Sequence, residues 1–318
     1  MSAVGVPLKE FLLEKHIPFE CDFELTHDCN QSCIHCFLEC PHPGTDADPE
    51  MVRQAMAELA SMGCVRVGLT GGEPLLHPEF WSLLRKARSL GFAVDVTSNG
   101  QLIDAEAARQ FSELRVKKVR LSLLGADPET HDSVTRVDGS FQSAVRATEA
   151  LLHCGVQVEF GCVVLPDNRA QVDRIQSLAD EIGAHVGFEW YAVPSLTGKF
   201  IPEPKGSLRR GAVPDHRCLA GVSLLAVSPN GDVMPCVMIR ETAGNLGNGT
   251  IAVTWEQAPV FRTIRSAVCR SEFERSADGA SGCNIERYTT GVANAPVCLR
   301  WRQREKGSVA DRRCTMSG

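Results

Sequence analysis

The chain has 318 residues, enough for one large α/β domain with a smaller appendage or for two ordinary domains. With 43% hydrophobic and 23% charged residues, its composition provides ample apolar material for a core. A formal net charge of −6, with no basic domain, argues against a dedicated nucleic-acid binder. No apolar run reaches the roughly eighteen residues of a membrane span, and the N-terminus lacks a signal-peptide pattern. We therefore expect a cytoplasmic protein, whose fourteen cysteines are thiols and metal ligands rather than disulfides.

Amphipathic helices alternate with short, mostly apolar strands between residues 21 and 192. Asp48, Asp104 and Ser140 mark helix starts, and a glycine follows several of the helices. We predict strands at residues 21–25, 64–70, 93–97, 119–123, 157–164 and 185–191. Such alternation indicates parallel β-α units, in either an open doubly wound sheet or a partial barrel. Both architectures place functional loops at the carboxyl ends of the strands.

The sequence changes character after residue 192. Residues 193–214 are rich in proline, glycine and basic residues and are predicted to be a linker. Asn230-Gly231 lies between two apolar runs and predicts a hairpin that brings Cys236 opposite Leu225, and a short helix is expected from residue 255. The predicted division is a lead-in (1–20), a barrel domain (21–192), the linker (193–214), a small α+β domain (215–301) and a tail (302–318).

Four cysteines follow the first predicted strand, at positions 29, 33, 36 and 40. A zinc site is one interpretation, although only Cys33 and Cys36 have the usual spacing. A second interpretation is the ferredoxin run, whose latter half is reproduced by Cys33, Cys36, Cys40 and Pro41. In the third, Cys29, Cys33 and Cys36 hold a cluster with one iron left open for a ligand, as a catalytic site requires.

The spacing of Cys29, Cys33 and Cys36 resembles that of the radical S-adenosylmethionine (SAM) superfamily, and His35 occupies the position before the third cysteine that is normally aromatic or His. Further segments similar to the family are Gly71-Gly72-Glu73-Pro74, Ser98-Asn99-Gly100, Arg120-Leu121-Ser122-Leu123, Glu129-Thr130-His131-Asp132, Thr135-Arg136 and Gly139-Ser140-Phe141. The resemblance covers roughly residues 20–192. It implies a partial (β/α)6 TIM-like barrel and an enzyme that generates a 5'-deoxyadenosyl radical.

The resemblance also implies site residues. Cys29, Cys33 and Cys36 would hold a [4Fe–4S] cluster, with His35 beside it. SAM would be bound by Gly71, Gly72, Glu73 and Pro74 at its amino group, by Asn99 and Ser122 at its ribose, and by Arg136 at its carboxylate. Two glycines let the backbone approach a ligand, and Glu73 would offer a carboxylate to the ammonium group. In this scheme Cys40 is a packed or free thiol.

A second cysteine pattern lies in the C-terminal part. Cys218, Gly231 and Cys236 have the spacing that begins the auxiliary-cluster domains called SPASM or twitch. The later cysteines are too widely spaced for a full SPASM pattern. We expect one auxiliary iron–sulfur cluster, held by Cys218, Cys236 and Cys283, with Cys298 or Cys269 in the fourth position.

Cys162 is a candidate catalytic residue. It lies on the fifth predicted strand, whose inward residues would line the radical site, and a thiol there could return a hydrogen atom to a substrate radical, as epimerising relatives do. Glu189, Trp190 and Tyr191 end the sixth strand and could contact substrate, although a packed aromatic pair is the simpler interpretation.

The function that the resemblance implies is removal of hydrogen from an unactivated C–H bond of a natural-product precursor. A ribosomal peptide is ranked slightly ahead, for crosslinking, oxidation or epimerisation. The alternative is a dehydrogenase or epimerase of a sugar or aminocyclitol, favoured by the reduced cysteine set and the absence of room before residue 20 for a leader-binding domain. A reducing partner such as flavodoxin or ferredoxin is expected. An iron–sulfur electron carrier or redox sensor is the alternative from another class.

Overall fold

The computed structural model describes residue 11, residues 15–189 and residues 219–271. The first part contains six strands: β1 (Glu20–Thr26), β2 (Arg66–Gly71), β3 (Ala93–Ser98), β4 (Lys118–Ser122), β5 (Gln157–Val163) and β6 (His185–Glu189). Its helices are α1 (Pro49–Ser61), α2 (Phe80–Ser89), α3 (Ala105–Glu113), α4 (Pro128–Thr135), α5 (Ser140–His153) and α6 (Val172–Ile182). The second part contains β7 (Leu224–Val227), β8 (Asp232–Met234), β9 (Gly244–Asn245), α7 (Ile251–Gln257) and α8 (Pro259–Ser271). All six predicted strands of the first part are present.

The order of the strands distinguishes a barrel from a doubly wound sheet. Strands β1 to β6 are parallel, and each is hydrogen-bonded to its neighbour in the chain. A doubly wound sheet reverses its strand order at one point, and the run from β1 to β6 does not. A sheet wound in one direction carries its crossover helices on one face and curves around the other. Among the described residues no strand pairs with the outer edge of β6, so the barrel is partial.

The two faces of the strands differ in chemistry. The outward face is apolar, and residues such as Leu69, Val96 and Leu121 are fully buried in the main hydrophobic core. The inward face carries ionisable side chains at alternate positions, namely Glu20, Asp22, Glu24, Arg66, Asp95, Lys118, Arg120, Glu159 and Glu189. Because side chains alternate across a strand, the charged interior corresponds to charged residues at every second position of segments that otherwise look apolar.

Cys162 has the opposite orientation to the one predicted. Its fully buried side chain lies on the same face of β5 as Val158 and Phe160, within the main hydrophobic core. The inward positions of β5 are Glu159, Gly161 and Val163. A thiol packed among the helices has no direct path to a radical inside the barrel, so the expectation that Cys162 lines the radical site is corrected.

The segments Glu129–Asp132 and Gly139–Phe141 form a junction between two helices. The sequence interpretation noted them only for their similarity to the family. Pro128–Thr135 forms the short helix α4, which was not predicted. The Asp132 carboxylate then caps α5, because it accepts hydrogen bonds from the backbone N–H groups of Gly139 (2.7 Å) and Phe141 (2.8 Å) and from the Ser140 hydroxyl (2.8 Å). Burial opposes the ionised form of Asp132, yet these hydrogen bonds lower its pKa. Asp132 therefore has a structural role.

The predicted hairpin is present, and it belongs to the barrel sheet. β7 and β8 are antiparallel around Asn230-Gly231, and β7 pairs in parallel with β1. The pairing of Ala226 with Met234 places Cys236 opposite Leu224, one residue from the predicted Leu225. The described part of the C-terminal segment thus begins as an extension of the barrel. Two helices follow where one was predicted, because Pro259 interrupts the helical hydrogen bonds.

Asp22, on the inward face of β1, should make the protein less stable at alkaline pH. Burial and then the neighbouring Glu20 charge raise its pKa to about 7. The folded state therefore holds the proton more tightly than the unfolded state, and stability falls as pH rises from about 4 to about 7. We expect Asp22→Asn to stabilise the protein at pH 8 by about 1–2 kcal/mol, with less gain at pH 5. Thermal unfolding of both proteins at the two pH values measures this, and an equal gain at both would contradict it.

No helix in the described part of the chain is long and apolar enough to cross a membrane.

Candidate active site

The site begins where the exits of β1 and β2 touch. Gly72 N–H donates to Thr26 O (2.8 Å), and Glu73 N–H donates to Asp28 O (2.8 Å). A Cβ on Gly71 would lie 2.2 Å from Thr26 O, and one on Gly72 would lie 2.1 Å from Asp28 O. Gly71 also has a φ of 136°, which side chains disfavour. In the structure, therefore, these glycines make room for the start of the cysteine loop, whereas the sequence interpretation assigned that room to a ligand.

Glu73 is fully buried, and its carboxylate is satisfied by the protein. Oε1 accepts from Leu75 N–H (3.1 Å) and the Ser98 hydroxyl (3.0 Å), and Oε2 accepts from the same hydroxyl (3.0 Å) and Asn99 N–H (2.8 Å). Burial raises its pKa to about 7 against the lowering effect of these hydrogen bonds. A carboxylate offers about four acceptor positions, and the three donor groups leave one of them available. The Glu73 side chain therefore braces β2 against β3, and its contact with the SAM ammonium group remains a prediction.

Asn99 continues this bracing toward the cysteines. Its Nδ2 donates to Asn30 Oδ1 (2.6 Å) and approaches Cys29 Sγ at 3.7 Å, and its Oδ1 accepts from Gln101 N–H (3.0 Å). The exits of β1, β2 and β3 are therefore joined into one platform. Ser122 ends β4 on the inward face and is partly exposed there. The ribose contacts expected of Asn99 and Ser122 remain predictions.

The other side of the cysteine loop rests on α4. Ser32 N–H donates to Thr135 O (3.2 Å), and Ile34 N–H donates to Val134 O (2.9 Å). Arg136 follows directly, in the left-handed conformation (φ 59°) that ends the helix, with its side chain exposed. Its charge acts on Cys33, where it lowers the thiol pKa against the larger raising effect of burial. Arg136 is thus beside the cysteine loop, and its contact with a SAM carboxylate remains a prediction.

The thiols of the loop interact with one another. Burial, opposed by a hydrogen bond from Gln31 N–H, raises the pKa of Cys29 to about 11. Burial and the neighbouring Cys36 and Cys29 charges raise the pKa of Cys33 to about 12. The neighbouring Cys40 thiol lowers the pKa of Cys36 to about 6. Because thiolates are the form that binds metal, two of these groups need a strong cationic partner to ionise.

Two unpaired polar atoms test whether this loop fits an iron–sulfur cluster. Gln31 Nε2 and His35 Nδ1 are buried without a hydrogen-bond partner. Buried polar atoms are normally paired, and cluster sulfur atoms accept hydrogen bonds. Within the described residues, no three Cys, His or acidic side chains surround a point where one metal ion would fit. A [4Fe–4S] cluster binds each thiolate through a different iron. The loop therefore fits a cluster.

Cys40 packs behind the loop. It is 5% exposed, and its Sγ donates to His27 O at 3.1 Å. Its Sγ also lies 3.1 Å from where a Gly72 Cβ would be, which places the thiol between the exits of β1 and β2. This placement agrees with a packed thiol.

The auxiliary-cluster prediction concerns residues that lie largely outside the described part of the chain. Cys218, Cys283 and Cys298 are there, as are the side chain of Cys269 and the aromatic pair Trp190 and Tyr191. Cys236 is described and is 7% exposed. It packs with Ala220 and Ile239, and Ala220 is two residues after Cys218. The segment that follows Cys218 therefore approaches Cys236.

The sequence interpretation named Arg120 and Glu189 but did not predict that charged residues meet inside the barrel. Arg120 Nη2 bonds to Glu189 Oε1 (2.5 Å), and Arg120 Nε is 3.5 Å from Glu159 Oε1. A Cβ on Gly161 would lie 2.8 Å from Arg120 Nε, so that glycine gives the guanidinium its space. Arg120 precedes Ser122 by two residues on β4, and Glu159 and Glu189 lie on the neighbouring strands β5 and β6. The two-residue charge period in β1 and β4 was the available signal.

Comparison with known proteins identifies the family. A family model described as the radical SAM superfamily matches residues 23–179. A mycofactocin maturase, MftC, of Mycobacterium ulcerans is 30% identical over 92% of this chain and 89% of its own length. An AdoMet-dependent heme synthase of Methanosarcina barkeri is 25% identical over 87% of this chain and 95% of its own. A PqqA peptide cyclase of Gluconobacter oxydans is 24% identical over 86% and 88%.

The fold agrees with that assignment. Streptococcus suis SuiB bound to S-adenosylmethionine superposes with a TM-score of 0.67 at 17% identity, covering 80% of this chain and 70% of that one. The chain belongs to the radical SAM superfamily. It is accordingly an enzyme that uses a [4Fe–4S] cluster and SAM, and its relatives include a mycofactocin maturase. The predicted family and the partial-barrel fold are confirmed.

Proposed function

We propose that this enzyme cleaves SAM at a cluster held by Cys29, Cys33 and Cys36 and removes a hydrogen atom from a peptide. The observation that carries the proposal is the single platform formed by the cysteine loop, the Gly71–Pro74 segment and Asn99. A site held by hydrogen bonds among three strand exits positions its ligands before the reaction begins.

The bound cluster would supply one electron that breaks the C5'–S bond of SAM homolytically and yields a 5'-deoxyadenosyl radical. The protein's part is to orient and enclose. The Glu73 carboxylate and the backbone carbonyls of Gly71–Pro74 are the acceptors we propose for the methionine ammonium group. Asn99 and Ser122 would bind the ribose, and Arg136 would bind the carboxylate. His35, with its unpaired Nδ1, would contact cluster or nucleoside.

A peptide is the substrate class best supported. One relative is named as a mycofactocin maturase, and another is named as a cyclase of the peptide PqqA. The interior around Arg120 and Glu189 offers charged groups to a polar backbone. The heme synthase relative keeps a small-molecule substrate as the second candidate. Crosslinking, oxidation and epimerisation share the hydrogen-abstraction step. The outward position of Cys162 argues against epimerisation with that thiol as the donor.

The accessory elements of the proposal follow from the family. Cys218 and Cys236, with Cys283 and Cys298, would hold one auxiliary cluster that binds substrate or accepts an electron. A flavodoxin or ferredoxin would deliver the electron to the first cluster. Such a system belongs in the cytoplasm, where thiols stay reduced.

Anaerobic reconstitution tests the proposal. Dithionite and SAM should give 5'-deoxyadenosine, and its absence from protein with a full cluster would refute the SAM-cleavage proposal. Iron analysis should give about eight irons per chain for two four-iron clusters and about four for one. Deuterium transfer from a labelled precursor peptide into 5'-deoxyadenosine would identify the peptide as the substrate, whereas transfer only from a labelled small molecule would support the second candidate.

A further inference from the structure

A buried ion pair joins the C-terminal segment to the first strand of the barrel. Arg240 Nη1 bonds to Glu24 Oε1 (2.6 Å), and Arg240 Nη2 bonds to Glu24 Oε2 (2.9 Å). The Glu24 side chain is 1% exposed and the Arg240 side chain 18%. A two-point guanidinium–carboxylate contact fixes both distance and orientation, which a single contact does not. The pair therefore constrains two segments that are 216 residues apart in the chain.

The same carboxylate leads directly to the cysteine loop. His27 Nε2 lies 3.0 Å from Glu24 Oε2, and His27 is two residues before Cys29. The His27 carbonyl accepts from Cys40 Sγ (3.1 Å) and from His42 N–H (3.0 Å). The Glu24 carboxylate thus sets the position of the turn at which the chain leaves β1 and starts the loop.

Arg240 touches the loop at a second point. Its Cζ is 5.9 Å from the centre of the Phe37 ring, a distance at which a cation and an aromatic face attract. Phe37 directly follows Cys36. On the other side, Arg240 Nη1 donates to Val237 O (3.2 Å), and Val237 directly follows Cys236. One guanidinium therefore contacts the neighbours of a proposed SAM-cluster ligand and of a proposed auxiliary-cluster ligand.

We propose that Arg240 is a positioning residue that holds the cysteine loop in the geometry needed for SAM to bind the cluster. The inference rests on the proposed cluster site. It adds that the orientation of the loop depends on a side chain from the C-terminal segment, acting through Glu24, His27 and Phe37. Cluster assembly needs only three thiolates, whereas SAM binding needs the loop aligned with the Gly71–Pro74 segment.

Loss of the guanidinium should affect the SAM complex more than the cluster. Partners that orient metal ligands from behind commonly change affinity or activity by 10–100-fold when removed. We expect Arg240→Gln to raise the SAM concentration for half-maximal change of the reduced-cluster EPR spectrum by about tenfold or more. Arg240→Lys keeps the charge without the two-point contact, so a smaller shift of severalfold is expected.

Arg66→Gln is the matched control. Arg66 is also an inward-facing arginine. It pairs with Glu20 of β1 (3.6 Å) and with Asp95 of β3. Glu20 lies about 13 Å along the strand from Glu24, away from the cysteine loop. The control variant should lose some thermal stability and keep the wild-type SAM titration.

The experiment uses the full chain, reconstituted anaerobically and reduced with dithionite, with iron content, thermal unfolding and the SAM titration measured for each protein. An SAM titration shifted in the Arg240 variants at wild-type iron content, and unshifted in Arg66→Gln, supports the proposal. A titration of Arg240→Gln within twofold of wild type overturns it. If Arg240→Gln does not fold, Arg240→Lys decides in the same way. A wild-type chain that binds no cluster refutes the proposed function and this inference with it, which distinguishes the two failures.

Discussion

Serine in place of Cys29, Cys33 or Cys36 should abolish formation of 5'-deoxyadenosine and remove most of the iron of the first cluster. Each thiolate binds one iron, and a hydroxyl does not replace it at neutral pH. We expect the rate to fall more than 100-fold, beyond the usual 10–100-fold cost of losing a residue that only supports a ligand. Iron analysis and chromatography of the SAM products after dithionite reduction measure both effects.

Two other cysteines provide the controls. Cys154→Ser changes a thiol at the end of α5, outside the cysteine loop, and should keep both iron and activity. Cys40→Ser separates two interpretations of the loop, because a ferredoxin-type site would need Cys40 as a ligand. Retained iron in Cys40→Ser supports the three-cysteine site. Loss of iron there equal to the loss in Cys36→Ser would contradict it.

Alanine at Gly72 should lower SAM cleavage by about 100-fold while the chain still folds. Its Cβ would lie 2.1 Å from Asp28 O, which is backbone and cannot rotate away, and 3.1 Å from Cys40 Sγ. The relief of this overlap must move Asp28 and hence Cys29, and displacement of a reactive group by about 1 Å can cost 10²-fold in rate. The added methyl group should cost about 1–3 kcal/mol of stability. Product assays and thermal unfolding separate the two effects.

Gly249→Ala is the matched control for this substitution. The nearest atom to its Cβ would be Asn245 O at 3.8 Å, an ordinary contact, and the glycine lies outside the site. This variant should cleave SAM at the wild-type rate. If Gly72→Ala did the same, the close approach of the two strand exits would have no part in activity.

Much of the fold was predictable because local patterns and tertiary packing agree. The glycine-terminated helices and apolar segments predicted the six parallel strands and most of the helices between them, and Asp48 and Asp104 cap the helices that were predicted to follow them. Helix α4 was missed because it is eight residues long and rich in residues that are weak helix formers. The partial barrel, as opposed to the doubly wound sheet, required the pairing order of the strands, which depends on contacts distant in sequence.

The individual roles of site residues were less accessible. The motif predicted Glu73 as a site residue, but only the tertiary structure shows that Ser98 and Asn99 donate hydrogen bonds to its carboxylate. On β5, Gly161 and Cys162 lie on opposite faces because they are adjacent in a strand, but the sequence pattern does not show which face points into the barrel. The sheet's curvature and the helices that pack on it decide that, and they turn Cys162 outward.

The sequence by itself determined the chemistry of this protein: the three cysteines at their spacing, the Gly71–Pro74 segment and the alternating elements identify a radical SAM barrel. These features are local, so the order of residues contains them. The tertiary structure decided how the site is held together. The contact between Arg240 and Glu24 joins segments 216 residues apart, and no local pattern relates them. It exists because β7 pairs with β1 and thereby brings the C-terminal segment to the cysteine loop.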